Sequence, residues 1–219
     1  MLIAEADWFA RQIDRLDLPA QPLVLNLGSQ TEEFVRDHQP WLDGVFLAAL
    51  RRRGARVVNV DLQQAPGVDL VGDLMDPVFQ EQLAARRPAV FIVCNVLEHV
   101  RDPRALAGAI AAVIGPQTLL LVSCPRRYPY HPDPLDNGLR PTVADLAALF
   151  PGLDLIAGEE VPDHPYLTYL RRQRGLWLRK LARLLLPFVN YPGWRQTLDF
   201  LPWWFRRFSA TCAILRRPA

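Results

Sequence analysis

Leu23-Val24-Leu25-Asn26-Leu27-Gly28-Ser29 is a short leucine- and valine-rich run that stops at a glycine. It is answered by Arg56-Val57-Val58-Asn59-Val60-Asp61, a second such run that stops at a carboxylate. Apolar runs of this length between turn residues read as buried parallel strands. At Gly28 the missing Cβ lets backbone come close to a ligand, and an acid placed like Asp61 accepts hydrogen bonds from ribose hydroxyls. The pair is the means by which a doubly wound α/β domain holds a nucleoside. The 33 residues from Gly28 to Asp61 leave room for a helical crossover. A second reading of Asp61, as the N-cap of a helix following the strand, stands beside the first.

Outward from this pair the pattern repeats. Ile3, Ala6, Phe9, Ala10, Ile13 and Leu16 recur at helical spacing, predicting an amphipathic helix over 2–16 that lies over the edge of the domain. Thr31–Arg36 starts a helix, Pro40 interrupts it, and 41–53 forms another that Gly54 stops. Residues 69–74 read as a third strand. Asp76-Pro77 and Asp102-Pro103 are cap-plus-first-turn signals for helices over 78–87 and 104–114, on either side of the apolar strand 90–93. Strands over 118–123, 153–161 and 209–215 follow, with Thr142 and Asp145 capping a helix between the first two. Strand and helix alternating this often predict a single α/β domain, Rossmann-like, with a mostly parallel sheet covered on both faces.

The 219 residues are half hydrophobic, enough for one substantial core. Charge is divided unevenly. Residues 1–162 carry 14 Lys/Arg against 21 Asp/Glu, and residues 163–219 carry 11 against 2, with four of the six tryptophans. Cys94, Cys124 and Cys212 lie in apolar runs without metal-ligand spacing, which reads as reduced buried thiols, no metal site and a reducing cytosol. No basic-then-apolar leader opens the sequence, and no segment reaches about 18 uncharged apolar residues. The single lysine among 25 basic residues points to a GC-rich bacterial source.

Five stretches in order resemble class I S-adenosylmethionine-dependent methyltransferases of the small-molecule and glycan-modifying kind: Val24–Ser29, Val58–Asp61, Gly72-Asp73-Leu74, Asn95–Val100 with Asp102-Pro103, and Leu119–Ser123 leading to Pro125. The resemblance covers residues 20–162 and the last strand. It implies a seven-stranded sheet with a reversed last strand and S-adenosylmethionine as cofactor. By position it implies Asn26, Gly28 and Ser29 along the methionine part, Asp61 and Leu62 at the ribose, Asp73 and Leu74 at the adenine, and Asn95 beside the sulfonium. The family places an acid where Asn26 stands and a glycine where Gln30 stands. The departure leaves three readings: weaker cofactor binding, a charge supplied by Glu32 or Glu33, or a degenerate fold serving as a binding scaffold. A nicotinamide-dependent oxidoreductase is disfavoured because no G-x-G-x-x-G opens the first helix.

Of the remaining polar residues, Glu98 reads as a capping, solvated acid and His99 as a packed histidine. His131 stands in a proline-rich loop beyond the fifth strand with Tyr130, Asp136 and Arg140 nearby. Loops at that sheet edge carry substrate groups, so His131 is the candidate base and the other three candidate substrate contacts. The alternative is that His131-Pro132 and Asp133-Pro134 only stiffen the loop.

Residues 163–208 form an insertion before the last strand. Trp177, Leu178, Leu181, Leu184, Leu185 and Phe188 share one side of a helix, with Arg179, Lys180 and Arg183 opposite. Such a stripe fits a membrane surface, through 171–207, or packs on protein as a lid or dimer face. No nucleic-acid motif accompanies the charge. Together these features predict methylation of an oxygen or nitrogen on a small-molecule, glycan or lipid-linked acceptor. The setting they predict is the cytoplasm, peripheral to the inner membrane.

Overall fold

The computed structural model describes residues 1–131, 135–172, 178, 182–184, 188–189 and 191–219. Pro132, Asp133 and Pro134 fall outside them, as do Trp177, Arg179, Lys180, Leu181, Leu185 and Pro187 of the expected amphipathic helix. Seven strands form one sheet: β1 (Leu23–Leu27), β2 (Arg56–Asp61), β3 (Leu70–Val71), β4 (Val90–Cys94), β5 (Leu119–Arg127), β6 (Asp154–Pro165) and β7 (Arg207–Arg216). Their order is β3-β2-β1-β4-β5-β7-β6, with β7 antiparallel to both its neighbours and the other pairings parallel. The sheet is the one the sequence predicts, reversed last strand included.

Alternation along the central strands feeds two cores. Phe91 and Val93 of β4 meet Phe79 and Leu83 of α4 (Pro77–Ala85), Leu106 and Ile110 of α5 (Pro103–Val113), and Leu146 of α6 (Val143–Ala148). Val90 and Ile92 face the other way, onto Phe9 and Ile13 of α1 (Ile3–Ile13) and Leu50 of α3 (Ala48–Arg52). Asp76, Asp102 and Thr142 accept hydrogen bonds from the first-turn amides of α4, α5 and α6.

Three local differences have physical causes. The third strand shrinks to two residues because the chain turns at Gly72, where an added Cβ would lie 2.5 Å from the Phe79 ring, and Asp73 Oδ1 accepts the Met75 N–H at 2.8 Å. The expected helix over 41–53 begins as a π-helix, Leu42–Leu47, before tightening into α3. The fifth strand runs on through Pro125, which has no N–H to give, by shifting register against β7 between Pro125 and Arg127.

Beyond the sheet edge, α1 also reaches inward. Trp8 Nε1 donates to Glu159 of β6 at 2.8 Å, and Glu5 is fully buried. The described parts of the insertion are α7 (Tyr166–Arg172), α8 (Tyr191–Phe200) and a 3-10 turn, Leu201–Trp204. The Tyr169 hydroxyl donates to Asp163 and accepts from the Ile3 N–H, tying α7 to the start of α1.

Candidate active site

At the carboxyl end of β1 the chain turns through Gly28 (φ +70°), whose N–H donates to Val60 O at 2.8 Å. A Cβ there would lie 2.6 Å from Val96 Cγ2, so glycine is needed for both conformation and space. Gln30 takes the left-handed conformation too (φ +65°), and its N–H donates to Asp61 Oδ2 at 3.0 Å. Asp61 Oδ1 accepts the Gln63 N–H at 3.3 Å. The glycine turn and the strand-end acid therefore face each other. Two N–H donors leave acceptor capacity on the carboxylate for a diol.

Beside this turn opens a cavity of about 800 Å³ lined by Gly28, Asn95, Glu98, His99, Tyr128 and His131, with Trp41, Tyr166, Tyr169 and Phe208 closing it. Its floor is a polar network. Asn95 (φ +55°) donates to Glu5 Oε1 at 2.8 Å, Ser123 Oγ donates to the same oxygen at 2.5 Å, and the Leu2 N–H donates to Glu5 Oε2 at 2.8 Å. Glu98, far from being solvated, is 1% exposed, and its Oε2 has no hydrogen-bond partner. Burial pushes its carboxyl up to about 8. Its other oxygen lies 3.8 Å from His99 Nε2.

The loop after β5 supplies the opposite wall. His131 Nδ1 lies 3.0 Å from Asp136 Oδ2, and Arg140 grips both oxygens of that carboxylate at 3.1 and 2.6 Å. Burial alone would raise the Asp136 carboxyl. Hydrogen bonds from Arg140 and from the Gly138 and His131 amides outweigh it and hold the group well below the usual carboxylate range. Burial lowers His131 from its ordinary value, against the opposing pull of the Pro129 carbonyl and Asp136. The result is a neutral ring near pH 7 that donates from Nδ1 and keeps a lone pair on Nε2. Edge-to-face contacts with His99 (5.1 Å) and Tyr128 (5.0 Å) fix its plane.

Residues 24–212 match the family described as a methyltransferase domain. The chain belongs to that family. No curated protein matches the chain. Among solved structures, this methyltransferase is similar to the [4+2]-cyclase SpnF (15% identity, 97% of this chain and 81% of that one, TM-score 0.59). It is also similar to a protein of Galdieria sulphuraria described as a sarcosine dimethylglycine methyltransferase (12%, 97% and 84%, 0.61). A third is coclaurine N-methyltransferase bound to N-methylheliamine and S-adenosylhomocysteine (13%, 97% and 70%, 0.55). At these identities the likeness is one of fold.

The methyltransferase's cofactor is S-adenosylmethionine, and the residues present fit it: a backbone turn at Gly28 and a carboxylate with spare acceptors at Asp61. Of the residues the resemblance assigns, the cavity brings Gly28 and Asn95 together with His131. Asn26, Ser29 and Glu32 line a neighbouring cavity of about 490 Å³ instead, and the Asn26 amide donates to Asn59 Oδ1 at 3.0 Å. Leu62 and Asp73 are exposed beyond the turn, while Leu74 packs against the core. Asp136 and Arg140 stand behind His131 as its support, and Tyr130 is 64% exposed.

Glu5 escaped the sequence reading. Its signal was present, since it precedes Phe9 by four residues and Ile13 by eight, which sets an acid on the apolar stripe of α1.

Proposed function

We propose that this methyltransferase methylates an oxygen or nitrogen of a small-molecule or lipid-linked acceptor bound in the 800 Å³ cavity. The observation that carries the reading is His131, backed by Asp136, in the wall of the same cavity that holds Gly28 and Asn95. S-adenosylmethionine supplies an electrophilic methyl on a sulfonium whose bonding electrons leave with sulfur. The acceptor lone pair forms the new bond, and the acceptor proton passes to His131 Nε2. Tyr166, Tyr169 and Leu170 of α7 line one side of the cavity, which supports the insertion as a lid. Calorimetry with S-adenosylhomocysteine tests the reading. Micromolar binding is expected, weakened about tenfold in Asp61→Ala by loss of the charge-assisted hydrogen bonds. No binding by the unaltered chain would overturn it.

The membrane setting has separate support. Among the described residues no helix is long and apolar enough to cross a membrane. Phe188, Val189 and Phe205 of the insertion are nevertheless 84%, 76% and 76% exposed, in a segment rich in arginine. Apolar side chains interleaved with cations suit an anionic leaflet at the cytoplasmic face of a bacterial inner membrane, where each basic residue adds on the order of 1 kcal/mol. Sedimentation with vesicles is expected to carry the chain down with anionic lipid, and less in Phe188→Ser/Phe205→Ser. Equal recovery in the supernatant with and without anionic lipid rejects the membrane setting.

A further inference from the structure

We infer that the acceptor is an amine, held in the cavity as an ammonium ion between aromatic rings and the carboxylate of Glu98. The inference rests on the methyl-transfer reading and narrows its acceptor. The chain carries 25 Lys and Arg residues, yet neither type is among the described residues lining the cavity. Histidines aside, the cation among those lining residues is the Met1 α-ammonium, which already donates to Gln39 Oε1 at 2.8 Å, so a phosphate or carboxylate entering the cavity meets no lysine or guanidinium. Glu98 is the one acid among the described residues of that lining. Its neighbour in the floor network, Glu5, has both oxygens occupied by Asn95, Ser123 and the Leu2 amide, whereas Oε2 of Glu98 is buried without a partner. A desolvated carboxylate in that position holds a proton until a cation arrives to replace it.

The remaining wall suits the same guest. Trp41, Tyr128, Tyr166, Tyr169 and Phe208 present rings to the cavity, and aromatic faces attract ammonium groups. Burial pushes the Tyr128 hydroxyl up to about 12 and raises that of Tyr166, so neither adds a competing negative charge. An ammonium must lose its proton before the nitrogen lone pair can accept a methyl, and His131 beside the same cavity is the group placed to take it.

The cofactor's sulfonium is also a cation, so the test is made with S-adenosylhomocysteine, whose sulfur is neutral. With the full chain saturated by that compound, 2-phenylethylamine, 2-phenylethanol and phenylacetate are titrated calorimetrically. The amine is expected to bind at least fivefold more tightly than either isostere, and Glu98→Gln to reduce that advantage below fivefold while leaving S-adenosylhomocysteine affinity within threefold. An advantage below fivefold in the unaltered chain overturns the inference, as does an advantage that survives in Glu98→Gln. Loss of S-adenosylhomocysteine binding in Glu98→Gln assigns the residue to the cofactor and also overturns it. Failure of the unaltered chain to bind S-adenosylhomocysteine, seen before any amine is added, sinks the methyl-transfer reading, and the amine falls with it.

Discussion

His131→Ala should lower kcat with the true acceptor about a hundredfold or more while leaving S-adenosylhomocysteine affinity within about threefold, because a positioned base contributes on that scale and the cofactor's groups lie elsewhere. The ring is set for the task by Asp136 at 3.0 Å from Nδ1 and by the Arg140 fork behind it. Burial holds the imidazole below its ordinary value of 6.5, so its basic form is already present at pH 6.5. The rate should therefore rise with pH along a limb centred below 6.5, and that limb should vanish with the imidazole. Asp136→Asn keeps the shape of the loop but removes the charge that stabilises the protonated ring, so the same limb should move to lower pH still. A rate within threefold of the unaltered enzyme in His131→Ala, measured over pH 5 to 9, rejects the assignment.

Glu98 governs the second large effect, on stability. Its folded-state value, about 8, lies above the ordinary 4.5, so the folded state holds the proton more tightly than the unfolded chain does. The contribution is complete below pH 4.5 and is lost as pH rises through 8. A glutamine in its place does not titrate. The Tm of Glu98→Gln relative to the unaltered chain should climb between pH 5 and 9 by an amount equivalent to about 4 kcal/mol, or roughly 8–16 °C for a chain of this length. Differential scanning fluorimetry on both chains across that range decides it. A difference that stays flat would show that Glu98 finds a partner or water at high pH.

Much of the fold was legible because the central strands are short runs dominated by apolar residues. Val90–Val93 has no polar residue to confuse its reading, and both its faces are buried. Caps at Asp76, Asp102 and Thr142 announced their helices by residue type alone. The π-helical start at Leu42 and the passage of β5 through Pro125 were not legible, since both depend on what packs against them. The site divides along the same line. Gly28, Asp61 and Asn95 could be placed at the ends of β1, β2 and β4 because strand ends are marked in the sequence. Glu98 was misread because its surroundings include a segment distant in sequence, the loop after β5, whose Asn137 N–H donates to the Glu98 carbonyl at 2.9 Å. Asn26 met a partner on β2 that no spacing rule reveals.

The left-handed bend at Gln30 ties the acid at the end of β2 to backbone strain. A side chain at φ +65° stores roughly 1–2 kcal/mol that glycine would not, and the hydrogen bond from the Gln30 N–H to Asp61 Oδ2 is what keeps that residue in place. The acid is thus a latch on the turn that follows β1. With a larger residue in the position where glycine would bend freely, the carboxylate opposite becomes a structural requirement, since the dihedral angle then has to be held from outside.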